Sequence, residues 1–150
     1  YNVVGMFADT DEWEPYIAQW ELDYGDRLQV YPRSNGSHIR FPMNGYKRDV
    51  MSELKTMRAA FNEPMRTISK YDEPDVTNIQ LFADPRLIDH FRNGRRKDKP
   101  EGYLVFKETP NSPHKIDAAM AGLLAYRARD IYLGAAVSNE EESFAPVRVW

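Results

Sequence analysis

The chain has 150 residues, enough for one domain with a core of its own and too few for two comfortable ones. Hydrophobic residues at 42% and charged residues at 29% argue against a disordered chain, and a formal net charge of −3 excludes nucleic-acid binding through overall charge, leaving only a local patch or bound cations for that role. The absence of cysteine removes disulfides, thiolate metal sites and thiol nucleophiles; no apolar run approaches the roughly 20 residues that cross a bilayer, and we expect neither a membrane helix nor a secretory signal.

The first segment, 1–8, is a continuous apolar run of the kind that forms a strand buried on both faces. It stops at Asp9-Thr-Asp-Glu12, an acidic cluster suited to a helix start. Trp13, Ile17, Trp20 and Tyr24 then recur at helical spacing, an aromatic stripe expected to face the core, and Gly25 closes the run. Pro15 is tolerable only near the amino end of that helix. A second strand is expected over 27–31, so that strand, helix and strand suggest a parallel crossover. Residues 32–46 read as loop with one short strand at 38–41.

Val50, Leu54, Met57 and Phe61 predict an amphipathic helix over 47–62, followed by an irregular stretch over 63–77 that contains Pro64 and Pro74. Asp84-Pro85 is a cap followed by a proline at the first helical position, leading into Leu87, Ile88 and Phe91. A strand is expected over 103–107. Ser112-Pro113 repeats the cap-plus-proline pattern before the longest helix, 113–133, and the acidic tail from Ser138 receives no structure. The alternation indicates an α/β architecture. The chain opens at Tyr1 inside an apolar run with its first methionine at Met6, and we expect a piece of something longer, with a domain over 1–137 and a tail over 138–150.

Two acids are candidates for chemistry. Asp9 stands where a strand is expected to end and a helix to begin, the place where open α/β sheets put ligands; its alternative role is to cap that helix. Asp117 lies beside the core stripe Ile116, Met120, Leu123 and Ile131, on a face otherwise made of Ala121, Leu124 and Ala128. A buried unpaired charge there would be costly, and the small residues Ala118, Ala119, Ala121, Gly122 and Ala125 would let the helix approach a sheet closely. The alternative is a solvated acid stabilising the helix amino end. Paired aspartates suit Mg2+ or Mn2+, and two such ions can activate water in phosphodiester cleavage. Arg86, Arg92, Arg95, Arg96, Lys97 and Lys99 form a basic segment that would either contact phosphates or serve as a solvated helix end. His38, His90 and His114 lack metal-ligand spacing, and no phosphate-binding glycine loop occurs.

The run Lys107-Glu-Thr-Pro-Asn-Ser-Pro-His-Lys-Ile-Asp-Ala-Ala-Met-Ala-Gly-Leu-Leu-Ala-Tyr-Arg-Ala-Arg129 resembles the closing segment of large terminase subunits from phages of actinobacterial hosts, in which Lys-Ile-Asp-Ala-Ala opens the last helix of the nuclease domain. Phe7-Ala-Asp-Thr-Asp-Glu-Trp13 is similar to that family's strand-end Asp followed by Trp. Phe82-Ala-Asp-Pro-Arg-Leu-Ile-Asp-His-Phe-Arg-Asn-Gly-Arg-Arg96 resembles its stretch with an Asp, a spaced His and an Asn ahead of basic residues. The matches keep the family's order, while 64–77 has no counterpart.

The resemblance implies a ribonuclease-H-like fold, a mixed sheet flanked by helices, here lacking its first strands. It implies an endonuclease that cuts concatemeric double-stranded DNA during packaging, in the bacterial cytoplasm, with two Mg2+ or Mn2+ ions. Asp9 matches the second acid and Asp117 the third, both metal-binding and catalytic, while the first acid would lie on a strand before Tyr1. Asp11 and Asp84 are at most near the site. Arg92, Arg95, Arg96 and Lys97 would steady the DNA backbone and Lys115 would sit near the scissile phosphate. Implied partners are DNA, the portal, the small terminase subunit and an ATPase domain upstream, with no membrane. A resolvase or transposase of the same fold would lack the ATPase, and a docking module for DNA or portal from a prophage remnant would bind no metal.

Overall fold

A computed structural model describes residues 3–11, 13–32, 36–62 and 83–143, except for the side chains of Asn62 and 135–143. The expected irregular stretch at 63–77 and the end of the tail, 144–150, lie outside the described residues. The chain forms two compact units: the first draws on residues up to Pro42 and from Leu124 onward, the second on Met43–Leu123. Helices and strands are mixed, as the alternation predicts. Among the described residues the regular sheet is a two-stranded antiparallel ribbon rather than the expected mixed sheet.

Among the described residues of the first unit, the segments expected as strands, 3–8 and 27–31, form no regular ladder. Their apolar side chains drive burial, but the backbone pairs only locally. Gln29 N–H donates to the Val4 carbonyl at 2.8 Å. Ala8 makes a parallel bridge to Arg40, with Ala8 N–H to the Ile39 carbonyl at 2.8 Å and Phe41 N–H to the Ala8 carbonyl at 2.9 Å. The parallel partner of the first segment is therefore the short stretch at 38–41. Gly5 lets these pieces close up: a Cβ there would lie 2.6 Å from Val30 Cγ2 and 3.1 Å from Ala128 Cβ. Gly5→Ala is expected to destabilise the protein by about 1–3 kcal/mol through overpacking. Urea unfolding checks this, and Val30→Ala in the same chain should recover part of the loss.

Helix α1 spans Glu14–Tyr24. It starts later than the acidic cluster suggests because Pro15 belongs in the first turn, where its missing N–H matters least, and Trp13 is the N-cap. Ile17 is fully buried and clusters with Leu28 and Ile39, with Met6, Ala8 and Trp20 packed against them. The expected stripe is core only in part: Ile17 is buried and Trp20 packs against it, while Trp13 is 54% exposed and Tyr24 is exposed too. Tyr16, itself 58% exposed, lies between Trp13 and Trp20, with ring centroids 5.5 and 6.5 Å away.

Glu21 on α1 organises the loop that follows. Its carboxylate accepts from Ser37 Oγ and from His38 N–H, each at 2.7 Å, and Ser37 Oγ accepts in turn from Ile39 and Arg40 N–H. Burial pushes the Glu21 pKa up, but hydrogen bonds from His38, Ser37 and Ile39 outweigh it and hold the group below its ordinary value. A lowered carboxylate pKa stabilises the fold above the unfolded value, and that contribution is lost as pH falls through the folded one. Acid unfolding should therefore show a drop in stability below about pH 4.3. Glu21→Gln should flatten it in denaturant titrations run across that range.

In the second unit, α2 spans Lys47–Asn62 and buries Val50, Met51, Met57 and Ala60; of the predicted stripe Val50 and Met57 are buried and Leu54 and Phe61 are half-buried. Helix α3 spans Pro85–Arg92, with Asp84 as N-cap accepting from Arg86 N–H at 2.8 Å. The Arg86 side chain and backbone N–H together lower the Asp84 pKa to about 2. Strands β1, Arg95–Lys99, and β2, Gly102–Phe106, pair antiparallel across Pro100-Glu101, with Arg95 opposite Phe106 and Lys99 opposite Gly102. Of the basic segment, Arg86 and Arg92 lie on α3, with Arg92 in its last turn, while Arg95, Arg96, Lys97 and Lys99 form a strand, which corrects the helix-end reading for these four. The ribbon is tied to α2 by Tyr103 OH donating to the Leu54 carbonyl at 2.9 Å and by Arg48 on Glu101 through two bonds of 2.8 and 2.9 Å.

The last helix, α4, spans Asp117–Ser143. It begins after the predicted Ser112-Pro113 cap, because Ser112 Oγ instead accepts from His114 N–H in a local turn. It also continues past the predicted end, so the first residues of the expected tail are helical. Gly122 lets it approach α2 and α3: a Cβ there would lie 3.3 Å from Phe91 Cζ and 3.9 Å from Met57 Cε. No helix among the described residues is long and apolar enough to cross a membrane.

Candidate functional site

The second unit brings together residues 83–96 and 107–123. His90 and Asn93, one helical turn apart, sit at the carboxyl end of α3. His90 Nδ1 accepts the Ala118 N–H at 3.0 Å, and Asn93 Nδ2 donates to the Lys115 carbonyl at 3.1 Å. The imidazole serves as a cap for an otherwise orphan donor in the first turn of α4, with Nδ1 as the acceptor. Between the two clamps, Ile116 is buried and donates no side-chain polarity; its carbonyl accepts Met120 N–H at 3.0 Å. The clamped segment presents Lys115 and Asp117, both exposed.

Asp117 is the first residue of α4 and not the edge of a buried face. Leu124 and Ala128 are buried as expected, but Ala121 and Asp117 are exposed. Among the described residues the Asp117 carboxylate has no hydrogen bond or ion pair. That leaves it open both to the helix-dipole role and to a cation. Asp9 is half-buried in the first unit, next to the Ala8 bridge. The N-cap of α1 is Trp13, whose own side chain makes no capping bond. Among the described residues, no three His, Asp or Glu side chains are gathered as a metal group.

The five residues of β1 are all exposed. Arg96 pairs with Asp98 at 2.7 Å, and its guanidinium lies 4.4 Å above the Tyr103 ring. Arg95 donates to the Arg92 carbonyl at 2.9 Å, and Lys97 Nζ sits 6.0 Å from the Phe106 ring centroid. Arg92, at the end of α3, is exposed. Sequence reasoning set His90 aside for lack of metal spacing and gave Asn93 no role. The signal that finds them is their shared face on a short helix that ends next to the basic run.

No family model matches the chain, and no solved structure matches it. The chain is 28% identical over 134 residues to the gene 13 protein of Mycobacterium phage D29, covering 89% of this chain and 20% of that protein. It is 29% identical over 136 residues to the gene 13 protein of Mycobacterium phage L5, again covering 89% of this chain and 20% of that protein. The chain thus spans about a fifth of the length of the curated relatives it matches, and those relatives are mycobacteriophage proteins.

Proposed function

We propose that this chain is the carboxyl-terminal part of the nuclease domain of a phage large terminase subunit, with a ribonuclease-H-like fold, cutting concatemeric double-stranded DNA in the bacterial cytoplasm. The observation that carries the reading is the clamp. Two stretches that resemble the same family, 82–96 and 107–129, are hydrogen-bonded to each other through His90 and Asn93, around the candidate acid Asp117. Similarity to two mycobacteriophage proteins agrees with a phage origin, and their greater length leaves room for the ATPase domain that packaging requires.

In this reading Asp9 and Asp117 are the carboxylates that hold Mg2+ or Mn2+. The open carboxylate of Asp117 is a hard oxygen donor that suits either ion. Divalent ions at such carboxylates supply a polarised phosphoryl oxygen and an acidified water. The protein's part is to fix the donors. The α3 clamp holds the backbone on both sides of Asp117, so the side chain swings from a rigid base. Lys115 on the same segment meets a phosphate, and Arg92, Arg95 and Lys97 steady the DNA. The portal and the small subunit are the expected packaging partners. Plasmid nicking by the natural polypeptide that carries this sequence, with and without Mg2+ or Mn2+, tests the reading; cutting that persists in Asp117→Asn refutes it.

A second reading, a DNA-docking module that does not cut, is favoured by the ribbon, where four of five exposed β1 residues are cationic. Metal titration followed by calorimetry separates the two, since the docking module takes up neither ion.

A further inference from the structure

Side chains alternate across a strand, so the two faces of β1 carry different residues. Arg96 and Asp98 share one face with their neighbours Tyr103 and Val105 on β2. On that face the charge is consumed within the ribbon, because Arg96 is ion-paired to Asp98 and stacked on Tyr103. The opposite face carries Arg95, Lys97 and Lys99 on β1 against Phe106, Leu104 and Gly102 on β2. No residue of either strand on that face is acidic. Among the described residues none of the three cations is ion-paired. They follow one another at about 6.8 Å, twice the rise per antiparallel residue.

We propose that this single face, with Arg95, Lys97 and Lys99 in a row, is a sequence-independent track for one phosphate strand of duplex DNA, and that Arg96 is a cation internal to the ribbon that contributes nothing to it. Three positive charges without counterions on an extended backbone match a polyanion whose charges recur every ~3.4 Å of axis along each strand. The row has apolar neighbours on β2, and cations spaced along one extended strand meet the repeating phosphates of the backbone, a contact that carries no sequence information. Lys99 joins the DNA-contacting set, and Arg96 leaves it. The identity of the polyanion rests on the nuclease-domain reading; the geometry of the row does not.

The test is duplex binding by the whole chain, followed by fluorescence anisotropy over a salt series in EDTA, with two 30-bp duplexes of unrelated sequence. Chelation removes cleavage from the measurement, so a failed nuclease reading and a failed track give different results. Arg95→Gln, Lys97→Gln and Lys99→Gln should each weaken binding several-fold to both duplexes and each reduce the slope of log K against log salt by about 0.9. The triple variant should lose nearly three in slope. Arg96→Gln, compared below its own melting transition, and Lys55→Gln on α2 should leave the slope unchanged. A triple variant with the wild-type slope overturns the proposal. So does a slope loss in Arg96→Gln or Lys55→Gln equal to that of Arg95→Gln, which would mean diffuse attraction rather than a track.

Discussion

Asp117→Asn in the natural polypeptide is expected to lower metal-dependent plasmid nicking by about a hundredfold or more, because a carboxylate ligand carries several kcal/mol of transition-state charge stabilisation. The fold should barely respond. Asparagine has nearly the same shape, and the carboxylate it replaces is exposed and makes no hydrogen bond or ion pair among the described residues. Helix α4 would lose only a first-turn dipole interaction of about 0.3–1 kcal/mol. The bonds that hold the segment, His90 to Ala118 N–H and Asn93 to the Lys115 carbonyl, both involve backbone atoms and remain. The signature is therefore a large activity loss with a small shift in melting temperature. An acid that only stabilises the helix end would give the reverse: intact cutting with the same small shift.

Phe41→Ala should cost about 3–5 kcal/mol, a large fraction of the 5–15 kcal/mol that holds a typical domain. Phe41 is 1% exposed, and its N–H is the donor that completes the bridge at Ala8. Its ring also lies 5.0 Å under the Arg127 guanidinium, so truncation removes a cation–π contact as well as apolar volume. Denaturant unfolding measures the loss. Trp13→Ala provides the contrast: that ring is larger but 54% exposed, and its removal should change stability by no more than about 0.5 kcal/mol. Equal losses at the two positions would mean that Trp13 is packed after all.

Helices were legible where local chemistry and burial agree. Lys47–Asn62 shows a clean apolar stripe, and Asp84-Pro85 is both the cap and the first turn of α3. The second ribbon strand was legible from Tyr103, Leu104, Val105 and Phe106, residues that favour a pleated surface. Its partner was not. Arg-Arg-Lys-Asp-Lys has little strand preference, and it pairs because a two-residue turn returns the chain alongside a good strand. The apolar run before Asp9 looks like a strand because hydrophobicity reports burial and says nothing of how many backbone groups find partners.

The start of α4 eluded the cap-plus-proline rule for a related reason. Its cap comes from another helix, through the His90 ring, and a tertiary cap leaves no mark in the neighbouring sequence. Of the candidate site, Asp117, Lys115 and the basic run were visible as residues, but the clamp that gives two of them a common base was visible only as the spacing of His90 and Asn93 on one short helix.

The turn at Pro100-Glu101 sets which of the two surfaces each charge meets, because a slip of one residue sends every side chain of a strand to the other side. Charge order then carries information that charge content does not. Exchanging Lys97 and Asp98 would preserve composition, isoelectric point and net charge, yet would set an acid in the middle of the row and free a lysine beside Arg96. Two such isomers of one chain would be indistinguishable by titration and unlike each other in the presence of a polyanion.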